Sequence, residues 1–188
     1  MTTPNIPEII YIDDFILQPI PATMEYAQFL FDTCDTDKDG FKFWMLGEPF
    51  VDVNEVCVMQ QNHQQRRERL TYLMYGIFNK DELLGEIGFT FLDIKNKTAK
   101  IGYWLKKSAR GHGIINKLIP TIENLGFETL KLRKIGISCD PDNTASKIIA
   151  EKNGYVLEGI LRENRLWPDG SIHDSSMYGK LKSEWNNK

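Results

Sequence analysis

The spacing of apolar residues changes along the chain, and each change marks a different type of predicted element. Apolar and aromatic residues fill residues 72–78, and two similar runs, residues 83–92 and 98–105, are joined by the polar turn 93–97. Short apolar runs bounded by turn residues are typical of β-strands, and two of them joined by such a turn predict a hairpin. The pattern therefore predicts an antiparallel meander over residues 72–105.

Other segments repeat their apolar residues at the 3.6-residue period of an α-helix. In residues 113–127 the predicted buried stripe consists of Ile115, Leu118, Ile119, Ile122 and Leu125. Because Pro120 lies inside this segment and cannot donate a backbone hydrogen bond, we expect a bend between Asn116 and Pro120. Three more helices are predicted: residues 23–32, residues 52–69 with Asp52 or Asn54 as N-cap, and a helix from Asp142 or Asn143 to Asn153.

The remaining segments complete the predicted layout. Strands are expected at residues 15–19 and 134–138, and two more strands follow Gly154, which ends the preceding helix. The second half of the helix 52–69 is strongly polar and is expected to face solvent.

Length and composition are those of one ordinary globular domain. The chain has 188 residues, of which 41% are hydrophobic, and a chain of this size buries about 70% of its unfolded surface. We therefore expect a single domain over residues 1–188, with residues 1–8 as a flexible tail. No apolar run approaches the ~20 residues of a membrane span, and residues 1–7 lack the pattern of a signal peptide. A cytoplasmic protein with no membrane partner is expected.

No metal site is predicted. The three cysteines, Cys34, Cys57 and Cys139, are widely spaced and form no Cys-x-x-Cys pair, so we expect free thiols. Residues 35–40 match the first half of a calcium-binding loop, but its twelfth position is Leu46 instead of glutamate.

A glycine-rich turn joins the predicted strand 98–105 to the helix 113–127, with the sequence Arg110-Gly111-His112-Gly113-Ile114-Ile115-Asn116. Glycine permits a close approach of the backbone to a ligand, and the first N–H groups of a helix point outward at the positive end of its dipole. Lys106, Lys107 and Arg110 concentrate positive charge here in a chain of net charge −3. The turn is therefore predicted to bind phosphate.

Three kinds of glycine-rich loop bind phosphate groups, and two of them fit poorly. A nucleotide-binding P-loop requires Gly-Lys-Ser/Thr, whereas Gly113 is followed by Ile114 and Ile115. A dinucleotide-binding loop requires a third glycine, where this chain has Asn116, and a parallel βαβ unit, whereas the entering strand belongs to a predicted hairpin. An antiparallel meander followed by a glycine loop and a helix is the usual holder of the pyrophosphate of acyl-CoA.

Four segments follow one another at a characteristic spacing: Ile101-Gly102-Tyr103-Trp104-Leu105, Ala109-Arg110-Gly111-His112-Gly113, Asp142-Asn143-Thr144-Ala145-Ser146, and residues 151–159. Together they resemble the GNAT acetyltransferases, specifically the Rim-type (RimJ/RimL-like) ribosomal-protein N-terminal acetyltransferases. The resemblance covers roughly residues 14–185, weakly before Thr71 and closely from Gly85 onward. It implies an α/β fold of the α+β kind, with a central mixed, mostly antiparallel sheet of about seven strands flanked by helices.

The resemblance also implies acetyl-CoA as the acetyl donor and direct attack by an amine. A backbone N–H near Trp104 or Leu105 would polarise the thioester carbonyl, Ser146 would bond the CoA sulfur, and Asn143 would contact pantetheine. The residues expected to bind the cofactor are Trp104, Leu105, Lys106, Arg110, Gly111, His112, Gly113, Ile114, Ile115, Asn116, Asn143 and Lys147.

The chain departs from the family pattern at three positions. Ile115 stands where glycine or alanine is commoner, and Ala150 replaces the tyrosine acid of many relatives. Arg165 falls where some Rim-type enzymes have a glutamate base, which leaves Glu163 and Glu86 as candidate bases. Cys139 with His173 could be imagined as nucleophile and base, but a cysteine that ends an apolar strand is expected to be packed.

The missing base favours an α-amine acceptor. An α-amino group has a reference pKa of about 7.7 to 8.0, so roughly a quarter is neutral at cytoplasmic pH, against about one lysine in a thousand. Three functions stay open: acetylation of a protein N-terminus, with a ribosomal protein as candidate; acetylation of a small amine such as a polyamine or aminoglycoside; and non-catalytic CoA binding. Acceptor choice is expected to depend on residues 41–69. No direct nucleic-acid partner is expected, and the chain could be a monomer or a homodimer.

Overall fold

The computed structural model describes residues 4–44, 50–167 and 169–185, and within them eight strands form a single sheet. In chain order the strands are β1 (Ile10–Ile12), β2 (Phe15–Gln18), β3 (Leu73–Asn79), β4 (Glu82–Asp93), β5 (Thr98–Leu105), β6 (Lys134–Cys139), β7 (Val156–Leu166) and β8 (Ile172–Leu181).

The helices connect these strands and cover the sheet. They are α1 (Met24–Thr36), α2 (Lys38–Phe41), α3 (Val53–Glu68), α4 (Ile114–Asn124), α5 (Thr144–Lys152) and α6 (Lys182–Trp185), with a 3₁₀ turn at Lys107–Ala109 and a π-helical turn at Leu125–Thr129.

The strands lie side by side in the order β1-β2-β3-β4-β5-β6-β8-β7. Every neighbouring pair is antiparallel except β5 and β6, which run parallel. The predicted mixed, mostly antiparallel sheet is confirmed, with β1 as a strand that the sequence did not reveal. The last strand, β8, is inserted between β6 and β7.

Two of the predicted N-caps are confirmed. The Asp52 carboxylate accepts hydrogen bonds from the N–H groups of Asn54 and Glu55 at the start of α3. The Asn143 side chain accepts from the N–H of Ser146 at the start of α5, at 3.1 Å. Such caps satisfy N–H groups that have no acceptor within the helix, and they fix where both helices begin.

Helix α4 runs through Pro120 without interruption. Its predicted apolar stripe is buried, with Leu118, Ile119 and Ile122 fully so. The irregularity that the structure shows comes later, in the π-helical turn Leu125–Thr129, and the bend expected before Pro120 stays a prediction.

Two hydrophobic clusters pack on the opposite faces of the sheet. One contains α4 together with Ile87, Phe89 and Tyr103, and we call this side the α4 face. The other contains residues of α1, α2 and α3 together with Trp104, and we call it the α1/α3 face. Because side chains alternate between the faces of a strand, successive residues of β5 contribute to different clusters.

The described part of the expected tail contacts the sheet. Ile6 packs against the α4-face cluster, and the Tyr75 hydroxyl donates to the Pro7 carbonyl at 2.7 Å. Residues 1–3 lie outside the described residues, as does Leu46, so the flexibility of the tail stays a prediction.

Neither a membrane span nor a metal site emerges from the part of the chain that the structure describes. No helix in that part has the length and apolar character needed to cross a bilayer. The same residues contain no group of three potential metal ligands, and all three cysteines are free thiols.

Candidate active site

The parallel strands β5 and β6 separate partway along their length. They pair from Thr98 to Ile101 on β5, and β5 then continues to Leu105 without pairing to β6. Just after β5, the Lys106 N–H donates to the Leu84 carbonyl of β4 at 2.9 Å. Since N–H directions alternate along a strand, the Leu105 N–H points towards the opening, whereas that of Trp104 points towards β4.

A cavity of about 280 Å³ fills this opening. Tyr103, Asn143 and Ser146 line it from the α4 side of the sheet, where Tyr103 packs. Aromatic and cationic side chains line the other part, namely Phe43, Trp44, Lys100, Arg165 and Trp167. Lys100 and Gly102 share their face with Trp104, because alternate residues of a strand point the same way. Residues from both faces of the sheet therefore line the cavity.

The glycine loop that follows β5 presents free backbone amides. Gly111 and Gly113 adopt left-handed φ angles of +82° and +73°, and nothing lies within 4 Å of the position of an added Cβ at either residue. Within the described residues, no N–H from Gly111 to Asn116 donates to a protein acceptor. Outward amides at the start of α4 form the type of site that binds phosphate.

Two of the three cations near this loop are already paired. The Lys106 ammonium bonds Glu82. The Arg110 guanidinium lies 2.6 Å from Asp37 and donates from Nε to the Leu105 carbonyl at 2.8 Å. Affinity of the loop for an anion must therefore come mainly from its backbone amides. Lys107 and His112 are exposed.

The side chains of other predicted cofactor residues on α4 and α5 make contacts within the protein. Ile114 and Ile115 are buried in the α4-face cluster, which explains how isoleucine is accommodated at position 115. Asn116 accepts from the Asn153 side chain at 2.8 Å, and the Lys147 ammonium donates to the Pro141 carbonyl at 3.1 Å. The bond between Asn116 and Asn153 ties the start of α4 to the end of α5.

Ser146 and Tyr103 meet at the cavity wall. The Tyr103 hydroxyl is buried and has no hydrogen-bond partner within the described residues. Burial raises the pKa of Tyr103, and the nearby Ser146 side chain limits this rise although the two hydroxyls do not form an aligned hydrogen bond. Tyr103 is therefore protonated at neutral pH and has a proton to donate, a role that the sequence did not predict.

Glu86 lies outside this cavity. It is buried on the α1/α3 face opposite Trp104, and it lines a second cavity of about 340 Å³ together with His63 and Tyr72. Burial raises the pKa of Glu86 to about 7, and hydrogen bonding from the Tyr26 hydroxyl limits the rise. Burial also lowers the pKa of His63 to about 4. Glu86 is thus a carboxyl group that can exchange a proton near neutral pH.

The other candidate base, Glu163, is exposed in a bulge of β7. Its φ angle is +50°, and its N–H donates to Asp174 at 2.8 Å. Glu163 does not line the cavity, whereas Arg165, two residues later, does.

A histidine–aspartate pair that the sequence did not reveal lies beside the cavity. His173 Nδ1 lies 2.7 Å from Asp140 Oδ2, and its ring stacks on Trp167 with the ring centroids 3.7 Å apart. The imagined pairing of His173 with Cys139 is not present, and burial raises the pKa of the Cys139 thiol to about 11. The turn at Asp169-Gly170 is a sequence signal from which the proximity of Trp167 and His173 could have been predicted.

The family model described as Acetyltransferase (GNAT) domain matches residues 14–156. The chain belongs to the GNAT acetyltransferase family. The family predicted from the glycine loop and its neighbouring motifs is therefore confirmed.

Relatives within the GNAT family include enzymes with assigned acceptors. The chain is 37% identical over 108 residues to the ribosomal-protein-serine acetyltransferase of Escherichia coli (strain K12). The matched residues make up 57% of this chain and 60% of that protein. It is 28% identical to the uncharacterized N-acetyltransferase YoaA of Bacillus subtilis (strain 168) over 93% of this chain and 97% of that protein. The chain spans about 60% of the length of the first two curated relatives it matches.

Solved structures share the fold over nearly the whole chain. RimL, a ribosomal L7/L12 α-N-protein acetyltransferase in complex with coenzyme A, has a TM-score of 0.84 at 25% identity and covers 94% of this chain and 99% of its own. The microcin C7 self-immunity acetyltransferase MccE, in complex with acetyl-CoA and AMP, has a TM-score of 0.79 at 26% identity. The match covers 90% of this chain and 93% of the MccE chain.

Proposed function

We propose that this protein is an N-acetyltransferase that transfers the acetyl group of acetyl-CoA to the N-terminal α-amine of a protein, with ribosomal proteins as the first candidates. The observation that carries the proposal is the opening between β5 and β6. It holds a cavity lined by residues from both faces of the sheet, and β5 leads from it to the free amides of the glycine loop. A donor and an acceptor could therefore meet from opposite sides.

The residues present suit acetyl-CoA, which supplies an acetyl thioester when bound. The amides from Gly111 to Asn116 would hold the pyrophosphate, and the Leu105 N–H would donate to the thioester carbonyl, which lowers the barrier to attack. Tyr103 and Ser146 would donate to the sulfur as the C–S bond breaks. The orphaned Tyr103 hydroxyl supports this assignment, because a buried donor without a partner is costly unless a ligand satisfies it.

Direct attack by the amine is favoured over a covalent intermediate. The Cys139 thiol, at the edge of the cavity, has a pKa raised to about 11 and is a poor nucleophile at neutral pH. Positioning two substrates side by side is itself a large source of rate enhancement.

Of the two candidate bases, Glu86 is better placed than Glu163. It shares the α1/α3 face with Lys100 and Gly102, and a pKa of about 7 allows it to accept a proton at neutral pH. Since the cavity that Glu86 lines shares no residue with the candidate site, transfer to it requires a chain of intervening water molecules. An α-amine, already neutral to roughly a quarter, makes only a small demand on such a base.

Polyamines and aminoglycosides fit the cavity less well as acceptors. Both are polycations, whereas Lys100 and Arg165 line the cavity, and like charges repel at short distance. Non-catalytic CoA binding, suggested by Ala150 and Arg165, predicts that CoA stabilises the protein without any acetylated product.

A thiol-release assay with acetyl-CoA tests the proposal. The acceptor panel contains N-terminal peptides of ribosomal proteins, the same peptides with blocked α-amines and free internal lysines, polyamines and aminoglycosides. We expect turnover with free N-termini only. Turnover confined to lysines or polyamines would refute the α-amine assignment, and thermal stabilisation by CoA with no product would favour the binding module.

A further inference from the structure

Two cationic side chains face the cavity and have no carboxylate partner within the described part of the chain. Lys100 on β5 and Arg165 on β7 both line it. Among residues 4–44, 50–167 and 169–185, neither side chain forms an ion pair or a hydrogen bond. Lys134, the residue of β6 next to this region, is by contrast paired with Glu158 at 2.6 Å.

The two cations are close enough to repel one another. The pKa of Lys100 is lowered, first by burial and then by the charge of Arg165. Holding two half-buried like charges together is unfavourable, and such an arrangement persists where a ligand of opposite charge compensates it.

The carboxylate in the cavity wall does not bond to either cation. Asp140 Oδ2 contacts His173 Nδ1 at 2.7 Å, and Oδ1 accepts from the Asp142 N–H at 2.8 Å. Both oxygens of Asp140 are therefore occupied, and the positive charge of Lys100 and Arg165 remains available to a ligand.

Trp167 is a candidate third donor at the same cavity. Trp167 is 8% exposed, and its indole N–H is buried without a hydrogen-bond partner in the described structure, although the residue lines the cavity. An ammonium, a guanidinium and an indole N–H together offer the charge and the donors that a carboxylate requires.

The phosphates of CoA are not the anion that these residues would bind. Lys100 precedes Leu105 by five residues, which is about 16 Å along a strand, and the glycine loop lies further still. Lys100 also lies on the α1/α3 face, opposite to the face on which Tyr103 packs. An anion at Lys100 would therefore belong to the acceptor.

We propose that the acceptor carries a carboxylate close to its reactive amine, and that Lys100, Arg165 and Trp167 bind this carboxylate. The substrate class is an N-terminal peptide with an acidic residue within its first few positions. This inference rests on the proposed function, because it names the acceptor of the same site.

Matched peptides test the inference. Peptides beginning Ser-Asp-Asp and Ser-Asn-Asn differ in charge but hardly in shape, and free amino acids with a carboxylate, such as β-alanine, represent small acceptors. We measure kcat/KM at saturating acetyl-CoA and, independently, the binding of each peptide to the CoA-loaded protein by calorimetry. The acidic peptide should be favoured at least about tenfold, the scale of a hydrogen-bonded charge.

Variants locate the effect. Lys100→Met and Arg165→Met should each remove most of the preference for the acidic peptide while the KM for acetyl-CoA is retained. Arg162→Met, an exposed arginine on the same strand as Arg165, is the control and should keep the preference.

The outcomes separate the two proposals. Equal turnover of both peptides by the unmodified protein would overturn the carboxylate site and leave N-acetylation intact. Binding of the acidic peptide that depends on Lys100, without turnover, would support the carboxylate site and count against the proposed activity. Acetylation of β-alanine in preference to either peptide would keep the anion site but overturn the peptide as its source.

Discussion

Asp37 Oδ2 lies 2.6 Å from Arg110 Nη1, so an ion pair fastens the glycine loop to the junction of α1 and α2. The approach depends on Gly40, since a Cβ there would lie 1.9 Å from the same nitrogen. Arg110 was expected to bind the cofactor, but its guanidinium is paired with Asp37 and bonded to the Leu105 carbonyl.

Asp37→Asn should therefore have opposite effects on stability and on CoA binding. Loss of the pair should lower the free energy of unfolding by about 1 kcal/mol or less, because the arginine is one-third exposed. The uncompensated guanidinium should then bind CoA more tightly. Urea unfolding and calorimetric titration with CoA measure the two effects, and weaker CoA binding by this variant would contradict the role assigned to the pair.

Gly113→Ala should weaken CoA binding strongly. Alanine at a φ of +73° is strained by about 1 kcal/mol or more, and its methyl group would project to the side where the ligand approaches. Gly159→Ala is the matched control, because its added Cβ also meets nothing within 4 Å but its φ is not positive. Equal CoA affinity of the two variants would place the pyrophosphate elsewhere.

Tyr103→Phe and Ser146→Ala should each lower kcat by about tenfold or more, because they remove donors to the leaving sulfur. CoA affinity should change little, since the amide loop is untouched. Tyr155→Phe, which removes another buried hydroxyl outside the cavity lining, controls for packing effects. An unchanged kcat in the Tyr103→Phe, Ser146→Ala double variant would exclude both residues as donors.

Stability should fall as the pH rises from about 4.5 to about 7, because the folded protein holds a proton on Glu86 that the unfolded chain releases. The pKa of Glu86 is higher in the folded than in the unfolded protein. The stabilisation from its bound proton is therefore fully present below about pH 4.5 and lost above about pH 7. It amounts to about 3 kcal/mol. Glu86→Gln should flatten this slope in urea unfolding at several pH values, and an unchanged slope would contradict the raised pKa.

A buried ion pair joins Lys180 of β8 to Glu123 of α4, with side chains 1% and 3% exposed. Glu123→Leu alone should destabilise the protein by about 3 to 5 kcal/mol, because the lysine would remain buried without this carboxylate. Glu123→Leu combined with Lys180→Met should recover most of the loss. A double variant as unstable as the single one would show that the pair itself stabilises the fold.

The sequence predicted the elements whose signals are local. Helix caps at Asp52 and Asn143, the hairpin of β4 and β5, and the buried stripe of α4 all follow from residues a few positions apart. β1 was missed because a three-residue strand carries almost no periodic signal. The polar half of α3 was expected in solvent, yet Arg66 and Arg67 donate to the carbonyls of Thr90 and Met74, contacts between distant segments that no local pattern encodes.

In the candidate site, too, residues with local signals were predicted and contacts between distant segments were not. The glycine loop could be read from its own residues, and family resemblance supplied Ser146 and Asn143. The pairing of Arg110 with Asp37 depends on how separate strands and helices meet. So does the lack of a side-chain partner for Tyr103, Lys100 and Arg165 among the residues that the structure describes. Those contacts join segments that are distant in sequence, so no local pattern predicts them. They determine which charges are free for a ligand.

The position of β8 between β6 and β7 has a consequence for how the protein is made. During synthesis β7 leaves the ribosome first, but its neighbour in the folded sheet is β8 alone, and β8 in turn pairs with β6. Arg165 and Trp167, carried by the β7–β8 hairpin, therefore reach their places last. The proposed acceptor site should therefore be completed only at the final step of folding, after the glycine loop has formed.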